Sequence, residues 1–265
     1  MAEAVAVRRA GGLAWCTLER PPLNLLEPEI INALRATFQD LAADSSVRVA
    51  VLTGTARAFT AGMDVRVLSE LDVPRAKTLI SSLHETIRVV HAAPFPVIAG
   101  IHGACLGAGF ELALACDLRI ATADAIFGLP EVRVGVPSVI EAALLPGMVG
   151  SARAAAMLLT GEPITASQAR EWGLLNSIVA RDGLRSAVET LAGKILACGP
   201  SAIRMQKELI LRWRATDLAS AVAYGINAFA LSFANDEPRE GMRAFLEKRA
   251  PAFAGEPASA SEDHR

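Results

Sequence analysis

Residues 100–117, GIHGACLGAGFELALACD, constrain this chain more than any other stretch. The aliphatic run Pro96, Val97, Ile98, Ala99 stops at Gly100; a loop with Gly103, Gly107 and Gly109 follows, and residues 110–116 read as a helix. A chain that passes from strand through glycines into a helix brings its backbone close to whatever it meets there. It also leaves amide N–H groups pointing outward. The first turn of a helix has unpaired N–H donors and the positive end of the macrodipole. Glu111 sits in that turn. Free amides beside one carboxylate suit a carbonyl that must become an oxyanion next to a base. Phosphate sites and plain tight packing use the same turn, and a dipole-stabilised surface acid is the simpler account of Glu111, so this stretch alone leaves the chemistry open.

The rest of the chain sets that turn in an α/β frame. Residues 13–19 are strand-like and end at Arg20-Pro21-Pro22, because proline cannot continue a ladder. Pro28 falls early in a helix of about 15 residues whose apolar face is Ile30, Ile31, Leu34, Phe38 and Leu41. The dense β-branched run at 47–52 has the look of a strand covered on both faces. Strands at 97–101 and 118–121 bracket the helix after Gly109, an order that predicts α/β layering and allows a structural repeat. From Ser151 the chain is mostly helical, interrupted by a strand-like Ser177, Ile178, Val179, Ala180. Residues 201–248 read as two or three helices with wide apolar faces (Leu209, Leu211, Trp213; Ala228, Phe229, Leu231, Phe233), which dock on a partner or on the main domain. The division expected is a core over 1–195, a helical region over 196–253 and a small, polar, disordered tail over 254–265.

Composition excludes several classes. At 265 residues, 52% hydrophobic and with a net charge of −2, the chain has enough apolar content for a sizeable core and no basic excess for nucleic acid or an anionic membrane. Cys16, Cys105, Cys116 and Cys198 show no CxxC spacing, which argues against zinc or a disulfide framework and for a reducing cytoplasm. No basic-then-apolar leader and no uncharged apolar run of 18 residues is present, so a cytoplasmic protein with no membrane partner is expected.

Two more passages carry chemistry. Residues 58–65, AFTAGMDV, place one glycine and small residues at a strand's end, where further N–H groups stay free. Residues 127–137, FGLPEVRVGVP, hold Glu131 among apolar neighbours. An unpaired buried carboxylate is expensive, so such a glutamate is seldom core filler. A desolvated glutamate beside a second carboxylate titrates closer to neutrality, as proton transfer near pH 7 requires.

Together these passages resemble the enoyl-CoA hydratase/isomerase (crotonase) superfamily. The matching pieces are RPPLN at 20–24, AFTAGMDV at 58–65, HGACLGAGFELALACD at 102–117, FGLPEVRVGVP at 127–137, LTGEPITASQAREWGLLNSIV at 159–179 and EPREGMRAFLEKR at 237–249. The resemblance implies a crotonase-like spiral of strand-strand-helix units with a C-terminal helical oligomerisation region, assembled as a homotrimer or homohexamer. It puts the oxyanion hole on the backbone N–H groups of Met63 and Ala108, and the catalytic pair on Glu111 and Glu131. Ala61, Asp64 and Val65 would lie along coenzyme A, Arg57 and Arg66 near its phosphates, and Phe245 and Lys248 at the nucleotide, often across a subunit boundary. The activity implied is hydration of a 2-enoyl-CoA thioester, with a Δ-isomerase as the nearest rival and a CoA-binding protein without turnover behind it. No metal or redox cofactor is expected; the CoA thioester enters as substrate. Where the family continues Pro-Gly-x-Gly-Gly-Thr, this chain has Pro137, Ser138, Val139, Ile140, Glu141, Ala142, so Ser138 and Glu141 are expected to alter the acyl pocket. Glu141 should face solvent or meet a polar partner. A Ser-His-Asp hydrolase built on Ser138, His84 or His102 lacks any matching triad motif.

Overall fold

A computed structural model describes residues 4–253, so the tail expected over 254–265 lies outside the described residues. β1 (Val5–Ala10) and β2 (Leu13–Leu18) form an antiparallel hairpin. α1 (Pro28–Ala43) follows, with Pro28 in its first turn and Ile30, Ile31, Leu34, Phe38 and Leu41 all buried. The chain then passes three times through one module: a strand in a large sheet, a short strand in a second sheet, and a helical segment. The first pass is β3 (Val49–Gly54), β4 (Ala58–Thr60), α2 (Val65–Ser69) and α3 (Val73–His91). The second is β5 (Val97–Ile101), β6 (Ala104–Leu106) and α4 (Ala108–Ala115). The third is β7 (Leu118–Thr122), β8 (Ile126–Gly128) and 3-10 turns at Pro130–Val134 and Glu141–Leu144, leading into α5 (Leu145–Val149) and α6 (Ser151–Thr160). β9 (Ile164–Thr165), α7 (Ala166–Glu171) and β10 (Ser177–Val179) complete the sheets, and α8 (Leu184–Leu196), α9 (Pro200–Trp213), α10 (Leu218–Ser232) and α11 (Glu237–Glu247) end the chain.

The large sheet has the order β1-β2-β3-β5-β7-β10 and the small one β4-β6-β8-β9. β3, β5 and β7 pair parallel in sequence order, as do β4, β6 and β8, so each module lies beside the one before it and the chain spirals. β3 shows why its sequence is continuous rather than alternating. Ala50 and Leu52 belong to the main core with α1, α3 and α4, while Val49 and Val51 pack on the opposite side with Val188 and Ala192 of α8. This strand starts at Val49 rather than the expected 47, since the Val47 N–H turns back to Asp44 O.

The late helices leave much of their apolar surface open. The apolar residues of α9 do not form a buried face; the residue it buries is Lys207, whose Nζ lies 2.8 Å from Phe95 O and 2.8 Å from Asp117 Oδ2. α10 buries none of its residues, and Ile226, Phe229, Phe245 and Leu246 stand open on α10 and α11. No single described helix is long and apolar enough to cross a membrane; α10 and α11 reach that length only as a pair bent by 77°.

Candidate active site

β4 and β6 are parallel neighbours, so the loops that leave their C-terminal ends emerge together. One loop runs through Gly62 to Met63, the other through Gly107 to Ala108. Both glycines have positive φ (86° and 54°), a region costly to other residues. They also lie too close to their surroundings for a side chain. A Cβ on Gly62 would fall 2.8 Å from Leu106 O and 3.5 Å from the Ala108 nitrogen. The two loops therefore touch, and the amides of Met63 and Ala108 lie near each other. Ala108 opens α4, so its N–H has no partner within the helix, and the Met63 N–H meets no backbone acceptor among the described residues. This is a pair of free donors of the kind an oxyanion needs.

Asn24 fixes the first of these loops. It is fully buried, and its Nδ2 donates to Ala58 O (2.8 Å) and Thr55 O (3.0 Å) while its Oδ1 accepts from the Arg20 N–H (3.0 Å). Ala61 N–H bonds to Leu23 O and Leu26 N–H to Gly62 O, so residues 20–26 bracket the approach to Met63 on both sides. The sequence reading used RPPLN only as a matching motif and missed this role. The visible signal was an asparagine two residues after a pair of prolines.

Glu111 occupies the first turn of α4 and is 3% exposed. Its Oε1 accepts from the N–H groups of Ile140 (3.1 Å) and Ala142 (2.9 Å). Burial pushes its carboxyl up from 4.5 to about 7; the charges of Glu131 and Glu141 push the same way, and the two amide bonds oppose. Glu131 comes from the 3-10 turn after β8. A Cβ on Gly107 would stand 2.6 Å from Glu131 Oε1, which puts this carboxylate against the start of α4, beside the amide pair. Its Oε2 accepts from the Ser138 hydroxyl at 2.7 Å. Two successive modules thus deliver a carboxylate each to the place where the free amides lie.

The remaining candidates divide into two groups. Ser138 and Glu141 lie at the carboxylates: Ser138 through its bond to Glu131, and Glu141 between Ile140 and Ala142, whose amides bond Glu111. Glu141 meets a polar partner, with Oε1 2.8 Å from His84 Nδ1 on α3. Ser138 therefore has Glu131, not a histidine, as its partner, and His84 is bonded to a different residue, so no hydrolase triad forms from them. Ala61, Asp64, Val65 and Arg66 flank Met63. Asp64 caps α2 by accepting from the Arg66 N–H (2.8 Å) and pairs with the Arg66 guanidinium (2.7 Å), whose side chain is 87% exposed. Arg57 is exposed before β4. Phe245 and Lys248 lie apart, near the end of α11, which is bonded to Ser201 through Glu237 and to Arg249 and Ala252 through Glu240.

Two free amides, a buried carboxyl and a second carboxylate form an arrangement that can polarise a carbonyl and move protons next to it, set on a strand-strand-helix spiral. The chain belongs to the enoyl-CoA hydratase/isomerase family, whose sequence model matches residues 8–256. It is 38% identical to Bacillus subtilis YngF, whose name carries the enoyl-CoA hydratase/isomerase description, over 92% of this chain and 95% of that one. It is 34% identical to the crotonyl-CoA hydratase of Syntrophomonas wolfei over 95% of this chain and 98% of the relative. The solved enoyl-CoA hydratase of Mycobacterium smegmatis superposes with a TM-score of 0.91 at 34% identity, covering 94% of this chain and 98% of that one.

Proposed function

We propose that the protein is an enoyl-CoA hydratase that adds water across the 2,3 double bond of a short 2-enoyl-CoA. The observation that carries this reading is that Glu111 and Glu131 both lie at the start of α4, beside the Met63 and Ala108 amides. The thioester carbonyl accepts from these two N–H groups. Glu111, buried and with an affinity for protons near neutrality, takes a proton from water as the water oxygen bonds to the β-carbon. The double-bond electrons move toward the thioester, and the resulting enolate oxygen is held by the two amides, each worth roughly 3–4 kcal/mol in comparable oxyanion holes. Glu131 delivers a proton to the α-carbon. Every step uses groups of the chain and the substrate, so the reading calls for no metal or redox cofactor.

In the same reading the CoA portion runs along Ala61, Asp64 and Val65, with Arg57 and Arg66 toward its phosphates, and the acyl end passes Ser138 and Glu141. Short acyl groups are the proposed substrates, a choice supported by the crotonyl-CoA hydratase among the relatives. A trimer, or a dimer of trimers, would cover the open apolar residues of α10 and α11 and carry Phe245 and Lys248 to a neighbour's nucleotide. Among the described residues Cys16, Cys105, Cys116 and Cys198 are all free thiols, in keeping with a reducing cytoplasm.

The test is hydration of crotonyl-CoA, followed by loss of the conjugated-thioester absorbance, with Glu111→Gln and Glu131→Gln. Each is expected to lower kcat by at least about 100-fold with little change in KM. Full hydration by Glu111→Gln alongside a dead Glu131→Gln would refute the two-acid mechanism and favour the isomerase, which relies on one acid.

A further inference from the structure

The amides that hold Glu111 belong to Ile140 and Ala142, and the residue between them is Glu141. Its side chain leaves the turn in another direction, toward His84 on α3, a helix anchored in the core by Leu83 and Ile87. The turn that presents the two amides is therefore tied at two points, to α4 through Glu111 and to α3 through His84. Glu141 is 9% exposed, and its second oxygen, Oε2, is buried with no hydrogen-bond partner among the described residues. An apolar side chain would fill that space without the cost of a buried, half-satisfied carboxylate. What an apolar side chain would not supply is a bond to His84 or a charge beside the base.

We propose that His84 and Glu141 form a positioning pair for Glu111: the bond to His84 holds the Ile140–Ala142 turn against the base and keeps the Glu141 carboxylate near it. This rests on the reading of Glu111 as the water-activating base. The groups that bear on Glu111 are Glu131, from the 3-10 turn after β8, and Glu141, and both raise its proton affinity, as burial does. His84 is the group that faces Glu141, and burial outweighs it in setting the direction of the Glu141 carboxyl, which is raised. Next to His84 on α3, Glu85 is held by Arg88 at 2.7 Å and so does not compete for the ring.

Two readouts separate positioning from mere scaffolding. The first is the titration midpoint of Glu111, read by ¹³C NMR of labelled glutamate carboxyl carbons and assigned by its disappearance in Glu111→Gln; it needs no turnover. Glu141→Gln is expected to move this midpoint to lower pH by about half a pH unit or more, because a neighbouring like charge has gone. The second is kinetic. Glu141→Ala and His84→Ala are each expected to lower kcat by about tenfold with KM scarcely changed, and the double variant should be no worse than the poorer single one. Glu141→Gln, whose amide oxygen still accepts from His84, should recover most of that kcat loss. An unmoved midpoint in Glu141→Gln, or equal losses in Glu141→Gln and Glu141→Ala, would overturn the proposal. A protein without hydratase turnover in which the midpoint still moves would refute the proposed function and leave the pairing supported. Intact turnover with an unmoved midpoint would do the reverse.

Discussion

Replacing Glu111 with glutamine should produce a protein that is nearly inactive yet more stable above neutral pH. The folded state holds the Glu111 proton up to about pH 7, whereas an unfolded chain releases it near 4.5. Between these two values the folded protein binds one more proton than the unfolded chain, so each unit rise in pH removes stability. At about 1.4 kcal/mol per tenfold change in proton affinity, the rise from 4.5 to about 7 amounts to about 3 kcal/mol, present in full below pH 4.5 and lost above about 7. The residue is 3% exposed, so solvent does little to screen this effect. Glutamine keeps an oxygen for the Ile140 and Ala142 amides and carries no proton to lose. Urea unfolding at pH 5 and pH 8, at fixed protein concentration, measures the difference. The variant should lie within about 1 kcal/mol of the parent at pH 5 and gain about 3 kcal/mol on it at pH 8, a midpoint shift of about 1 M for a slope near 3 kcal/mol/M. A difference that is the same at both pH values would refute the argument that burial holds this proton, and with it the physical basis for Glu111 as a base tuned to neutrality.

Two further outcomes test how the site is supported. Lys207→Met removes a cation from a pair whose side chains are 4% and 18% exposed, leaving the Asp117 carboxylate, among the described residues, with the Val97 N–H alone. It should cost about 3 kcal/mol, or about 8 °C in thermal unfolding, and a shift under about 2 °C would mean that the pair does not hold α9 to the core. Asn24→Ala strips two carbonyls, Ala58 O and Thr55 O, of their buried donor, and should cost about 3 kcal/mol while lowering kcat through the Met63 loop. Unchanged kcat in a destabilised Asn24→Ala would show that the loop keeps its geometry without that bracket.

Elements that bury a periodic face were legible from residues alone. α1 was readable because Ile30, Ile31, Leu34, Phe38 and Leu41 recur at helical spacing, and β3 because covering on both faces demands an unbroken β-branched run. The glycine turn into α4 was readable as well, with the helix starting at Ala108 rather than Phe110. Glu131 stood out because a carboxylate is rare among so many apolar neighbours, and Glu111 because it falls in the first turn of the helix that follows the glycines. β1 escaped notice: only Val5 is buried, and an edge strand is held by ladder bonds that leave no apolar pattern. β4, β6 and β8, at three residues each, are too short for any period to show. α3 was also passed over, though it supplies His84.

The tertiary structure alone decided which distant groups meet. Glu111 is 29 residues from Ile140, His84 is 57 from Glu141, and Asn24 is 34 from Ala58. A hydrogen bond leaves no period and selects no residue type along the chain, because its geometry depends on how three stacked modules place their loops. Hydrophobic patterning is local and is written residue by residue; the direction of a carboxylate, and the proton affinity that burial then imposes on it, exist only once the modules have closed around it.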